Sequence, residues 1–151
     1  MSGLLDQLAA RKAELVAELV TDIPIPQWDR PTLHLRVQPV DHTMLRSALA
    51  PIDKVKGGSR ALAQAEKQAH ATVIAHATLA VIMDRGQVDE AEVPLSNPEL
   101  RVTFGLSESS SSADVVRCLM LRDGDLLAVS NAVAQFSGYS AEDLETSFAG
   151  E

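Results

Sequence analysis

The spacing of the apolar residues changes abruptly after Val20, and this change constrains the fold more than any other feature of the chain. Before it, leucines recur at the first and fourth positions of a seven-residue repeat, which is the spacing of one helix face. From Ile23 onward, apolar and polar residues alternate, as they do in a half-buried strand. The sequence therefore predicts an amphipathic helix followed directly by extended chain.

The first helix is expected from about Gly3 to Val20. Its leucine stripe can pack on the core of its own domain, or it can pair with another subunit, since this spacing suits a seam between helices. We take the stripe as a candidate self-association surface and expect a homo-oligomer. The stripe consists of Leu5, Leu8, Leu15 and Leu19, with Lys12 at the intervening first position of the repeat.

The alternating segment predicts a β-hairpin at about Asp22 to Gln38. Its turn is expected near Trp28, and Trp28 is expected to cover the hairpin against a helix. Pro24 and Pro26 lack the N–H that a ladder requires, so the first strand should lie at a sheet edge or be irregular.

Helical spacing returns after Asp41, which is a typical N-cap residue. The longest, central helix is expected from Ser59 to about Arg85. Two C-terminal helices are expected over residues 112–121 and 125–136. The predicted fold class is mainly α with one β-hairpin (α+β). The predicted core consists of Leu35, Val37, Leu45, Val73, Ile74, Val81, Val116, Leu119 and Leu127.

Residues 1–151 are expected to form a single domain with two less regular parts. Residues 87–111 are acidic and serine-rich, which predicts an irregular, mobile connector. Within it, Leu100, Val102 and Phe104 could line a short strand. Residues 137–151 form a short acidic C-terminal segment.

The composition excludes several function classes. Aromatic residues make up only 3% of a chain that is 46% hydrophobic, so the core must be aliphatic. A net charge of −8 disfavours binding to nucleic acid. The single cysteine, Cys118, cannot form an internal disulfide. Neither a targeting signal nor a membrane-spanning segment is evident, so a soluble, cytoplasmic protein is expected.

Catalytic chemistry has no visible basis in the sequence. His70 and His76 are six residues apart on the predicted central helix, so they point in different directions and are expected to be partly exposed. The histidines and the cysteine fit neither a zinc site nor a catalytic triad. We expect a protein that is not an enzyme and has no catalytic residue, metal ligand or cofactor.

The C-terminal part of the chain shows an ordered series of features. A helix rich in Val and Leu is followed by a Leu-Leu helix, an aromatic-Ser-Gly turn and an acidic stretch that closes on Phe-x-Gly-Glu. This order resembles the C-terminus of the tail assembly chaperones of long-tailed bacteriophages. The matching residues are Val115, Val116, Leu119, Leu126, Leu127, Phe136–Gly138, Glu142–Glu145 and Phe148–Glu151.

The resemblance continues in the first half of the chain. Asp22–Trp28 fits the family form Asp-Ile-x-Ile-Pro-x-aromatic, and Leu35–Asp41 fits the form apolar-Arg-apolar-x-Pro-apolar-Asp. The chain departs from the family in having Phe136, where Trp is common, and in the serine content of its connector.

The resemblance implies a function and partners. Such chaperones bind the tape measure protein, keep it soluble while the tail tube forms, and are absent from the finished virion. The chain looks like the short form of such a chaperone, which implies a frameshift-extended form of the same chaperone as a partner. The major tail tube protein is a further candidate partner. The resemblance also implies that the protein acts in the cytoplasm of the infected host. Two alternative functions are a structural virion protein, such as a tail-completion or connector subunit, and a small dimerising regulatory protein.

Four residues near the C-terminus are the candidate partner-binding residues. Phe136, Tyr139, Leu144 and Phe148 are large apolar or aromatic groups that could anchor a helix of the partner. They could equally cap the domain's own core.

Overall fold

A computed structural model describes residues 3–29, 31–84 and 91–139. This part of the chain forms helices and one small antiparallel sheet, so the predicted α+β class is confirmed. The elements in chain order are α1 (Gly3–Glu18), β1 (Thr21–Pro24), β2 (Thr32–Val37), α2 (His42–Asp53), α3 (Ser59–Ala77), β3 (Thr78–Asp84), β4 (Ala91–Val93), α4 (Pro98–Thr103), α5 (Ser112–Leu119) and α6 (Asp123–Phe136).

The predicted hairpin is confirmed. Strands β1 and β2 pair antiparallel, with Ile23 opposite Leu35, and β1 lies at the sheet edge, as expected for a strand that contains Pro24. Alternate residues of β2 are buried, and these include Leu35 and Val37. Trp28 packs against the core, and its indole Nε1 donates a hydrogen bond to the carbonyl oxygen of Leu119 at 2.8 Å. This bond joins the hairpin turn to the end of α5.

The sheet is larger than the predicted hairpin. The expected end of the central helix is wrong, and part of the segment predicted to be helical is a strand. Helix α3 ends at Ala77, and the next residues form β3, which pairs with β2 on one side and β4 on the other. The hydroxyl of Thr78 donates to the carbonyl oxygen of Ile74 at 2.7 Å, where the chain leaves the helix. A continuous apolar run fits a buried strand as well as a buried helix, so periodicity could not distinguish them. Val81 is nevertheless buried as expected.

The expectation of an irregular connector at residues 87–111 is also wrong at residues 91–93 and 98–103, which form a strand and a helix. It contains β4 and α4, while residues 85–90 lie outside the described part. The side chain of Asn97 accepts hydrogen bonds at the start of α4, so Leu100 and Val102 lie on a helix rather than a strand. Arg101 is buried and donates to the carbonyl oxygens of Leu95 and Ser110, at 2.8 and 2.7 Å. These bonds tie α4 to the segment that precedes it and to the segment that follows it.

Helix α3 is the centre of the helical layer and packs against α2, α5 and α6. The predicted core is confirmed except at Leu127, which is 47% exposed on α6. Its neighbour Leu126 is buried instead, because adjacent helical residues point about 100° apart and only one of the two can face α3. Helix α6 begins at Asp123, two residues earlier than predicted.

Candidate functional site

Helix α1 carries the most unusual surface of the described chain. None of its 16 residues is buried, and α1 is not among the pairs of described elements that pack closely. The predicted stripe of Leu5, Leu8, Leu15 and Leu19 is between 45% and 69% exposed. The sequence left two alternatives open for this stripe. The structure shows that the stripe does not pack on the core of its own domain.

Such exposure is energetically unfavourable for an isolated helix. At 16 residues α1 is about 24 Å long, and helices of about this length are marginal in water unless an amphipathic face is covered. Contiguous apolar patches on monomeric proteins commonly mark an interaction site. The structure thus presents the leucine stripe as a surface suited to pairing with another helix.

An open groove lies between α1 and the sheet. Strands β2 and β3 are out of register between Arg36 and Val37, and Leu79 is the extra residue of this bulge. Leu79 is 44% exposed and faces a groove of about 530 Å³. Its lining residues are Ala9, Lys12, Ala13, Val16, Ala17, Val20, Gln38 and Leu79.

The groove wall and the leucine stripe are neighbouring faces of α1. At about 100° per residue, the wall around Ala9 and Ala13 lies roughly 100° around the helix from the stripe. Val16 is 53% exposed, lies between the two and widens the apolar surface. A second helix could therefore lie along the stripe or enter the groove.

The candidate partner-binding residues at the C-terminus fall in two groups. Phe136 and Tyr139 are half-buried and pack against the core, and the Tyr139 ring lies 6.5 Å from the His42 ring. They form an edge of the domain that is only partly accessible. Leu144 and Phe148 lie outside the described residues. A role of this surface in binding stays a prediction.

The structure also brings together a buried polar pair that the sequence did not reveal. His70 is buried, and its Nδ1 lies 2.7 Å from the hydroxyl oxygen of Ser130. The prediction that His70 is partly exposed is therefore wrong, whereas His76 on the same helix is exposed. The contact joins residues 60 positions apart, and helical spacing carries no signal for such a pair.

Burial sets the chemistry of this pair. Loss of solvation lowers the pKa of His70 to about 4, so the imidazole is neutral at physiological pH. Ser130 has no exposed surface, which leaves its hydroxyl out of reach of a substrate. The arrangement stabilises the contact between α3 and α6 and does not form a site for nucleophilic catalysis.

The other shifted groups belong to ion pairs. Arg36 bridges β1 and β4, with 3.0 Å to a carboxylate oxygen of Asp22 and 2.7 Å to one of Glu92. These partners raise the pKa of Arg36, chiefly through the hydrogen bond to Asp22. At the start of α6, the hydrogen bond from Arg122 lowers the pKa of Asp125. Each pair ties neighbouring segments together.

The described residues offer no metal-binding cluster and no membrane-spanning helix. Within residues 3–29, 31–84 and 91–139, no group of three or more His, Cys, Asp and Glu side chains is placed to hold a metal ion. None of the helices described there combines the length and apolar character needed to cross a bilayer.

Comparisons with known proteins add no relative. A scan against models of protein families, a search of curated proteins and a search of solved structures each gave no match.

Proposed function

We propose that this protein is a tail assembly chaperone of a long-tailed bacteriophage, which binds the tape measure protein and keeps it soluble during tail tube assembly. The order of sequence features from Asp22 to Glu151 supports the assignment. The observation that carries the proposal is α1, an amphipathic helix whose leucine stripe is left uncovered by its own domain.

The tape measure protein that the resemblance implies is long and rich in helices, and amphipathic helices need their apolar faces covered. A helix laid against α1 would bury its own face together with the leucine stripe. Full burial of four leucines contributes at most roughly 6–12 kcal/mol. Association itself costs about 4–15 kcal/mol. The two ranges overlap, and the apolar face that the partner helix buries at the same time supplies the surplus that appears as binding.

The charge of the chain fits the same role. A net charge of −8 keeps a complex with an aggregation-prone partner dispersed. As further partners we propose the frameshift-extended form of this chaperone and the major tail tube protein, with the site of action in the cytoplasm of the infected bacterium. The finished virion should lack the protein.

Co-expression with the tape measure protein of the same phage tests the proposal. The full chain should keep the tape measure protein in the soluble fraction, and the Leu8→Glu, Leu15→Glu double variant should not. The matched control is Leu62→Glu, Leu127→Glu, which adds the same two charges at exposed leucines away from α1. If the full chain leaves the tape measure protein insoluble, the proposal is wrong.

A chain that ends at Tyr139 tests the C-terminal candidates in the same assay. It retains Phe136 and Tyr139 and lacks Leu144 and Phe148. If it keeps the partner soluble as well as the full chain does, the last two residues are not needed for binding.

A further inference from the structure

The sequence of α1 is complementary to itself in one antiparallel register. In the seven-residue repeat, Leu5, Lys12 and Leu19 take the first position, and Leu8 and Leu15 take the fourth. Leu19 directly follows the last residue of α1, and its backbone N–H donates to the carbonyl oxygen of Val16 at 3.1 Å, which continues the turn. In antiparallel helix pairs, a first-position residue of one helix faces a fourth-position residue of the other. Pairing Leu8 with Leu19 of a second copy also places Leu15 against Lys12 of that copy.

The charges beside the stripe select this register. It brings Arg11 of each copy next to Glu18 of the other, so that two ion pairs form across the helices. A shift of one heptad would instead pair Leu5 with Leu15 and set the two Arg11 side chains against each other. A parallel arrangement would set Lys12 against Lys12 in the apolar seam.

Both charged residues are accessible in the structure. Arg11 and Glu18 lie on the exposed surface of α1. Arg11 also contacts Glu14 of its own helix, at 3.0 Å. That contact is exposed on both sides, and such pairs contribute little to stability, so Arg11 can exchange it for a carboxylate of a second copy.

We propose that two copies of this chain dimerise by antiparallel pairing of their α1 helices along the leucine stripe, with reciprocal Arg11–Glu18 contacts. A seam between two helices of this length is small for a protein interface, which predicts a dissociation constant on the order of tens of micromolar. The lysine in the seam weakens the dimer and fixes its register. The pairing does not rest on the proposed chaperone function. A helix of the tape measure protein would compete with the second copy for the leucine stripe, and a dimer this weak leaves the stripe available to it.

Charge reversal and sedimentation equilibrium of the purified full chain test the register. Arg11→Glu alone and Glu18→Arg alone should each weaken the dimer by about tenfold, since each places two like-charged pairs across the seam. An equimolar mixture of the two variants should restore dimerisation, because every cross-helix pair is again oppositely charged. The matched control, Asp6→Arg, makes the same charge change as Glu18→Arg but lies away from the stripe, so it should leave the dimer intact.

The lysine in the seam gives a second, independent test. Lys12→Leu should strengthen the dimer by at least about tenfold, because it completes the apolar seam. The proposal is overturned if the wild-type chain stays monomeric at all concentrations up to about ten times the expected dissociation constant, which is on the order of tens of micromolar. A dimer that is insensitive to both charge reversals, with circular dichroism showing folded variants, would overturn it as well. Because these experiments need no tape measure protein, their failure is distinct from failure of the chaperone assay.

Discussion

Acidification provides a sharp test of the buried contact between α3 and α6. His70 titrates with a pKa of about 4 in the folded protein and near 6.5 in the unfolded chain. Below pH 6.5 the unfolded chain therefore binds a proton that the folded protein does not, and stability falls as the pH falls. The loss begins near pH 6.5 and is complete below pH 4.

The size of the effect follows from the two pKa values. Their difference corresponds to roughly 3 kcal/mol below pH 4, of which about 2 kcal/mol is already lost at pH 5. Carboxylates such as Asp125, whose pKa is lowered, lose their contribution at lower pH and interfere little between pH 7.5 and 5. The prediction concerns this upper range.

Urea unfolding at several values between pH 7.5 and pH 5 measures the effect. The wild type should lose about 2 kcal/mol over this range, and His70→Gln should lose much less, since glutamine does not titrate. His76→Gln, an exposed change on the same helix, should behave like the wild type. Equal pH dependence in the wild type and in His70→Gln would refute the assignment of a buried neutral imidazole.

Three further predictions concern stability. Leu126→Ala should lower the free energy of unfolding by about 2–5 kcal/mol, and Leu127→Ala by at most about 1 kcal/mol, as measured by urea unfolding of both variants. Equal costs would contradict the orientation of α6, which buries Leu126 and exposes Leu127. Trp28→Phe should cost about 1–2 kcal/mol in the same assay, because the carbonyl of Leu119 loses its indole donor. Ser111→Ala should lower stability by about 1 kcal/mol, since it removes the capping box of α5, and an unchanged midpoint would argue against that cap.

The parts of the fold that sequence could predict are those with a single periodic signal. The alternation at Leu33, Leu35 and Val37 has no helical counterpart, so the hairpin is correctly predicted. The leucines of α1 are equally regular, and their stripe is where the structure leaves an apolar surface uncovered.

The errors have two physical origins. The segment from Thr78 to Met83 is apolar at nearly every position, and only pairing with strands on both sides shows that it is a strand. Buried polar contacts form the second group. The bonds of Arg101 and the contact between His70 and Ser130 depend on tertiary structure, which local spacing does not encode.

Affinity purification from infected cells tests the proposed function most directly. A tagged full-length chain should recover the tape measure protein, as identified by mass spectrometry. The tagged Leu8→Glu, Leu15→Glu variant should recover much less, and purified virions should lack the chain. Failure to recover the tape measure protein, together with stoichiometric presence of the chain in virions, would contradict the account and indicate a structural tail protein.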